Sequence, residues 1–296
     1  MMECHFRSTK PKGTLAFFSC WFMAISLSAQ TLTNFVLFGG TNGADPAGPL
    51  VQGADGNLYG TTNRGGAAAL GTIFEVTPGG TLTTLHSFSG ALADGSPEAG
   101  LTLGADGNFY GTTPNGGTYS YGTVFKITPG GVFTTLASFS SAATGIPTAP
   151  LVQATDGNFY GTTTGYELCC GLFSYGTIFR ITPEGSLTVL HTFESPDAVP
   201  GRGALIQAAD GSLYGASYGS YSGNTVYPGA VYKIALDGAF SVLHVFATSE
   251  GFVAGGSVAA LLQASNGVFY GTTYFGGTKE GGTVFAITSS GEFTTL

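Results

Sequence analysis

At 296 residues, 43% hydrophobic and only 9% charged, the chain is long enough to bury roughly three quarters of its unfolded surface. Its 49 glycines follow no three-residue period, and 23 Phe and 14 Tyr are too many for a disordered low-complexity chain, so collagen-like and disordered classes are excluded. A formal net charge of −8 argues against nucleic acid or an anionic membrane as partner.

In chain order, the first element is a leader. Arg7, Lys10 and Lys12 precede the apolar run TLAFFSCWFMAISL at 14–27, and the small residues Ser28 and Ala29 follow, which is the layout of a secretory signal peptide. The run is too short and asymmetric to favour a permanent span; a retained membrane anchor is the rival reading. Residues 1–29 are therefore expected to be a signal peptide, and 30–296 a secreted or cell-surface domain without a membrane span. Removing the leader takes three of the nine basic residues and one of the seventeen acidic ones, which leaves a net charge of −10. Of the four cysteines only the adjacent pair Cys169 and Cys170 stays, so no disulfide framework or spaced metal-ligand set is present.

An octapeptide then sets a period. DGNLYGTT begins at Asp55, DGNFYGTT at Asp106 and Asp156, DGSLYGAS at Asp210 and NGVFYGTT at Asn266, at spacings of 51, 50, 54 and 56. A run such as GPLVQGA (48–54) precedes each copy. GTIFEVTPGG (71–80) and its relatives follow, and then TLTTLHSF (81–88) and its relatives. Each unit thus holds four strand-like runs, a to d. Asp-Gly or Asn-Gly between a and b predicts a tight hairpin of type I′, and Pro-Gly-Gly, Pro-Glu-Gly or Leu-Asp-Gly between c and d predicts another turn.

Runs b and c carry apolar side chains on both alternating sets, as in Leu58 with Tyr59 and Ile73 with Phe74, so each sheet must be sandwiched by its neighbours. The fold class expected is all-β: a β-propeller of four-stranded antiparallel blades, with a stacked β-solenoid as the rival. Five units are expected, near 48–90, 99–139, 149–193, 203–246 and 259–296. TLTNFVLF at 31–38 matches run d and is an extra outer strand, yet the last unit begins its own run d with EFTTL. Two candidates for one place point to a longer natural chain.

The succession DGNFYGTT, GTVFKITPGG and TTLHSF resembles the Gloeo/Verruco (GloVer) tandem repeat of exported bacterial proteins with varying C-terminal anchors. The resemblance covers everything after the leader and recurs five times. It implies export and a propeller-like array, and it brings no catalytic residues.

The repeated Asp55, Asp106, Asp156 and Asp210 read as turn residues, since each site offers one carboxylate, Asn266 replaces the fifth, and calcium wants about six to eight oxygens. Neither metal nor cofactor is expected. His86, His191 and His244 share one place in run d with Ala137 and Val36 and read as space-filling residues.

The b–c loops differ from copy to copy and face away from the uniform turns, which makes them the expected binding surface. They supply Tyr119, Tyr121, Tyr166, Tyr175, Tyr218, Tyr221, Tyr227 and Tyr274, amphipathic rings suited to a glycan, a peptide or a surface protein. Cys169 and Cys170 lie in the longest loop and admit either a vicinal disulfide or two thiols. The function expected is a non-catalytic binding or surface-structural module. The alternative is a secreted glycan-processing hydrolase or lyase on the same face, for which Glu167, Arg64, Arg202, Asp197, Glu250 and Glu280 are the scattered charged candidates.

Overall fold

A computed structural model describes residues 35–296 except 47, 91–94, 141–144, 166–175, 194–198, 201–202, 219, 223–224, 248–259, 275 and 280. The expected signal peptide, the cysteine pair, Tyr166 and Tyr175 lie outside the described residues, as do Glu167, Asp197, Arg202, Glu250 and Glu280. No helix long and apolar enough to cross a membrane occurs among the described residues.

Five antiparallel sheets follow one another along the chain, each an a–b–c–d meander. Strand a is two residues long and strand d the outer edge: in blade 1, Val51–Gln52, Leu58–Arg64, Thr72–Val76 and Leu82–Ser87. Blade 2 has b at Phe109–Thr113, c at Thr123–Ile127 and d at Phe133–Ser138. Blade 3 repeats them at Phe159–Thr164, Thr177–Ile181 and Leu187–Thr192, blade 4 at Leu213–Tyr218, Ala230–Ile234 and Phe240–Val245, and blade 5 at Phe269–Thr273, Thr283–Ile287 and Phe293–Thr295. Short lead strands, Ala44–Pro46, Ile146–Pro147 and Val199–Pro200, pair with the far end of strand b in blades 1, 3 and 4.

The a–b hairpins form where Asp-Gly and Asn-Gly predict them, with a different turn. Gly53 N donates to Asn57 O and Gly56 N to Gly53 O, and only Gly56, at φ +84°, is left-handed. This is a three-residue loop with a G1 bulge, which needs one positive φ where type I′ needs two. Asp55 keeps an ordinary φ and uses its carboxylate to accept the Asn57 N–H at 3.1 Å. The c–d turn has the same plan, with Thr77 N to Thr81 O and Gly80 N to Thr77 O.

A second bulge sits in strand d of blades 1 to 4. Ile73 pairs with His86 but Phe74 with Thr84, so Leu85 is the extra residue; Leu136, Leu190 and Leu243 repeat it. A bulge turns adjacent side chains the same way, and these leucines pack inward against the cores.

The apolar mass lies between blades. Four clusters of buried residues each draw on two consecutive units; one joins Tyr59, Ile73 and Phe88 to Phe109, Phe125 and Ile127. This is the packing that two-faced apolar sheets require.

Candidate functional site

The uniform rim is built as a belt. In each of the first four a–b turns the Tyr hydroxyl donates to the turn carboxylate: Tyr59 to Asp55 at 2.6 Å, Tyr110 to Asp106 at 2.8 Å, Tyr160 to Asp156 at 2.7 Å and Tyr214 to Asp210 at 2.8 Å. The same oxygen accepts the Asn57, Asn108 and Asn158 amides in the first three, and Lys233 in the fourth. The Tyr ring then stacks on the next blade, over Phe109, Phe159 and Phe269 at 4.1, 3.9 and 4.2 Å between centroids.

Glutamines of strand a close the belt. Gln153 accepts the Ala105 N–H of the preceding blade at 2.7 Å, Gln207 that of Thr155 at 2.9 Å and Gln263 that of Ala209 at 3.0 Å. Each also donates to the glycine carbonyl of its own turn. The carboxylates and amides of this rim are spent on holding turn to strand and blade to blade.

The bonds to Tyr59 and then Asn57 hold the Asp55 carboxyl below the usual carboxylate range. At Asp106 and Asp156 burial pushes upward and is outweighed by the Asn and Tyr bonds; at Asp210 it is outweighed by Lys233 and Tyr214. A depressed folded value means that the stabilisation is complete above the unfolded value, about 3.9, and is lost as pH falls through the folded one. Melting temperature is therefore expected to be level above about pH 5 and to fall below about pH 4, with a shallower fall in Asp156→Asn. A flat acid limb in the wild type would contradict the belt.

The histidines do more than fill space. His86, His191 and His244 lie flat on Phe133, Phe240 and Phe293 of the following blade, with centroids 3.9, 3.7 and 3.9 Å apart and planes within 9°. The sequence carried a signal for this: copies with Val36 or Ala137 precede a run d that begins with Leu82 or Leu187, whereas copies with His precede Phe.

On the opposite rim the b–c loops are not equally irregular. Blades 1, 2 and 5 build one compact loop on left-handed glycines at matching places, Gly65, Gly66 and Gly71, then Gly116, Gly117 and Gly122, then Gly276, Gly277 and Gly282. A serine of strand d ties two of them, Ser87 accepting Ala67 N–H at 2.7 Å and Ser138 accepting Thr118 N–H at 3.3 Å. Tyr121 and its counterpart Leu70 are partly buried against the inter-blade clusters. Tyr119 and Tyr274 stand 56% and 65% exposed. Arg64 is spent on an exposed ion pair with Asp45 at 3.4 Å.

The glycine pair of that compact loop is absent from the sequences of the blade 3 and blade 4 connections. In blade 4 the connection rises into a hairpin, Ser220–Ser222 against Thr225–Tyr227, with Ser220 opposite Tyr227 and Tyr221 opposite Val226, and Tyr218 ends strand b at its foot. The loop of blade 3 spans 165–176, ten of whose residues lie outside the described ones. Among the described residues no group of three or more His, Cys, Asp or Glu is placed to hold a metal ion.

Five successive four-stranded meanders sharing inter-blade cores make this a protein of the β-propeller class, and among the described residues the five sheets stay separate. The model of the Gloeobacter/Verrucomicrobia repeat matches residues 19–171 and 152–296, and the chain belongs to that repeat family. Comparison with curated proteins returns no match. Among solved structures, a streptogramin B lyase is similar at 13% identity and TM-score 0.57, the match covering 88% of this chain and 71% of the lyase. A gluconolactonase from Xanthomonas campestris is similar at 15% identity and TM-score 0.50, with coverage of 86% and 76%. At such identities the likeness is one of fold.

Proposed function

We propose that this chain is an exported, non-catalytic binding module that contacts its ligand through the b–c rim of blades 3 and 4. The observation that carries the reading is the contrast between rims. Asp, Asn, Tyr and Gln on the turn rim are committed to bonds within each turn and between blades, while the paired glycines that frame the loops of blades 1, 2 and 5 are absent from the loop sequences of blades 3 and 4, and the loop of blade 4 forms a hairpin of its own. Those two loops hold Tyr166, Tyr175, Tyr218, Tyr221 and Tyr227, rings that stack on sugars or extended peptide through a face and hydrogen-bond through a hydroxyl.

Export rests on the layout of residues 1–29. Glycans are the first ligands to test, because a surface with few charges and many Tyr rings recognises neutral polar rings without needing an ion pair. The experiment is binding to an array of cell-wall and storage polysaccharides by wild type and by Tyr221→Ala/Tyr227→Ala. The expected result is retention of one polysaccharide class by the wild type and at least tenfold weaker retention by the double variant. A wild type that retains nothing, or a variant that binds equally, contradicts the reading.

A further inference from the structure

Three asparagines stand directly before a glycine, Asn42, Asn115 and Asn266, and the fold treats them differently. Asparagine is a thermally labile residue, most so before glycine, where no side chain shields the next backbone nitrogen from the asparagine Cγ. A hydrogen bond on either reacting group must break before the two can meet.

Asn42 is held at both ends of its amide. Its Oδ1 accepts the Gly39 N–H at 2.7 Å and its Nδ2 donates to the Leu37 carbonyl at 3.4 Å. Gly43 is buried, and its N–H donates to the Gly40 carbonyl at 3.3 Å. Asn266 is exposed but serves its turn: Oδ1 accepts the Val268 N–H at 3.1 Å, and the Gly267 N–H donates to the Ala264 carbonyl at 2.9 Å.

Asn115 has neither restraint. It is exposed where strand b of blade 2 gives way to the compact loop, and among the described residues neither its side-chain amide nor the Gly116 N–H has a hydrogen-bond partner. Other atoms fix the loop. Thr113 Oγ1 donates to the Asn115 carbonyl at 2.8 Å and the Gly122 N–H to the Gly116 carbonyl at 3.0 Å. The glycine frame does not call for Asn at this place either, since Arg64 and Phe275 precede Gly65 and Gly276 in blades 1 and 5.

We infer that Asn115 is a site of spontaneous deamidation on the b–c rim. Gly116 N attacks Asn115 Cγ and bonds to it. The Cγ–Nδ2 bond breaks, and Nδ2 leaves as ammonia with the proton that Gly116 N gives up. Water then opens the succinimide: cleavage of the new bond at Cγ yields aspartate, and cleavage at the backbone carbonyl yields isoaspartate, in which the chain runs through Cβ. Either product replaces a neutral amide with a carboxylate. Isoaspartate also lengthens the backbone by one methylene between the Thr113 and Gly122 anchors. This chemistry belongs to blade 2 alone and does not depend on what the loops of blades 3 and 4 bind.

The test incubates the folded protein at physiological temperature over a series of neutral to mildly alkaline pH values, with isoelectric focusing and peptide mass mapping as readouts. An acidic species is expected to accumulate and to map to position 115 as aspartate and isoaspartate. It is expected to form faster as pH rises, because the attacking nitrogen must lose its proton. Conversion at Asn115 is expected to outpace that at Asn42 and Asn266 by about tenfold or more, the factor implied by two hydrogen bonds that must first break. In denaturant the three rates are expected to converge. Asn115→Gln keeps an amide but must close a larger ring, so the acidic species is expected to vanish while melting stays unchanged. Folded protein in which Asn115 survives as long as Asn42 and Asn266 overturns the proposal, and so does an acidic species that persists in Asn115→Gln.

Discussion

Truncating Tyr110 to alanine is expected to destabilise the protein by about 3–5 kcal/mol, the range for removing a large aromatic from a core. The side chain is fully buried, stacks on Phe159 of the next blade at 3.9 Å and donates to Asp106 at 2.8 Å. Its loss therefore opens a cavity at a joint and strips a carboxylate of a partner. Tyr110→Phe keeps the ring and loses only the charge-assisted bond, which is expected to cost about 1.5–3 kcal/mol. In a repeat array each unit leans on its neighbours alone, so the damage is expected to be local. Native-state hydrogen exchange in Tyr110→Ala should quicken in strands b and c of blades 2 and 3, with blade 5 unaffected. Uniform quickening across all five blades would show the array to be one cooperative unit, against this account.

The second large effect is expected at the glycine of the octapeptide. Gly161 pairs across the sheet with Phe179, whose ring lies over it: a Cβ there would come within 2.5 Å of the ring's Cζ and 2.8 Å of Leu151 Cδ2. The backbone needs no left-handed conformation at this position, so the requirement is for space. Gly161→Ala must push Phe179 out of a cluster that also holds Tyr110, Val124, Phe139 and Phe159, and an overpacked core of this kind costs about 1–3 kcal/mol. Phe179→Leu in the same chain removes the obstruction, so the double variant is expected to be more stable than the sum of the single losses predicts. Strict additivity in denaturant unfolding would show that the ring is not what excludes the methyl group.

These contacts explain why the octapeptide repeats so closely. Asp makes the turn and binds the Tyr, Gly makes the bulge, Tyr reaches the next blade, the second Gly clears a space for the aromatic opposite, and the Thr pair bonds to strand c and to the following unit. Every position answers to a neighbour that repeats too, so the copies are held alike.

The blade plan was legible because its causes are local. Alternation, Asp-Gly and Pro-Gly-Gly turns and the fifty-residue period lie within short windows, and they place strands and inter-blade cores where the structure has them. Contacts between blades were harder to read, since Gln153 and Ala105 are 48 positions apart and nothing in either run alone marks the pair. The register shift that turns Leu85 inward beside His86 was invisible as well, because a bulge leaves no gap in the pattern. The type I′ expectation failed where Asp55 could bond its own turn without a positive φ. The shared frame of the loops in blades 1, 2 and 5 was written in the sequence as paired glycines followed five residues later by a third, and loop length masked it.

The account's central claim is that one rim holds the array together and the other binds. Its most direct measurement is ligand affinity and melting temperature taken together on two variants. In one, the blade 4 connection 219–228 is replaced by the compact loop of blade 2. In the other, Gln153 and Gln207 are replaced by Ala. The account predicts that the loop graft abolishes polysaccharide binding with melting within about 2–4 °C of wild type, roughly the shift that 1 kcal/mol produces in a protein of this size. It predicts that the glutamine variant melts lower and binds as before. Binding that survives the graft and disappears with the glutamines would contradict it.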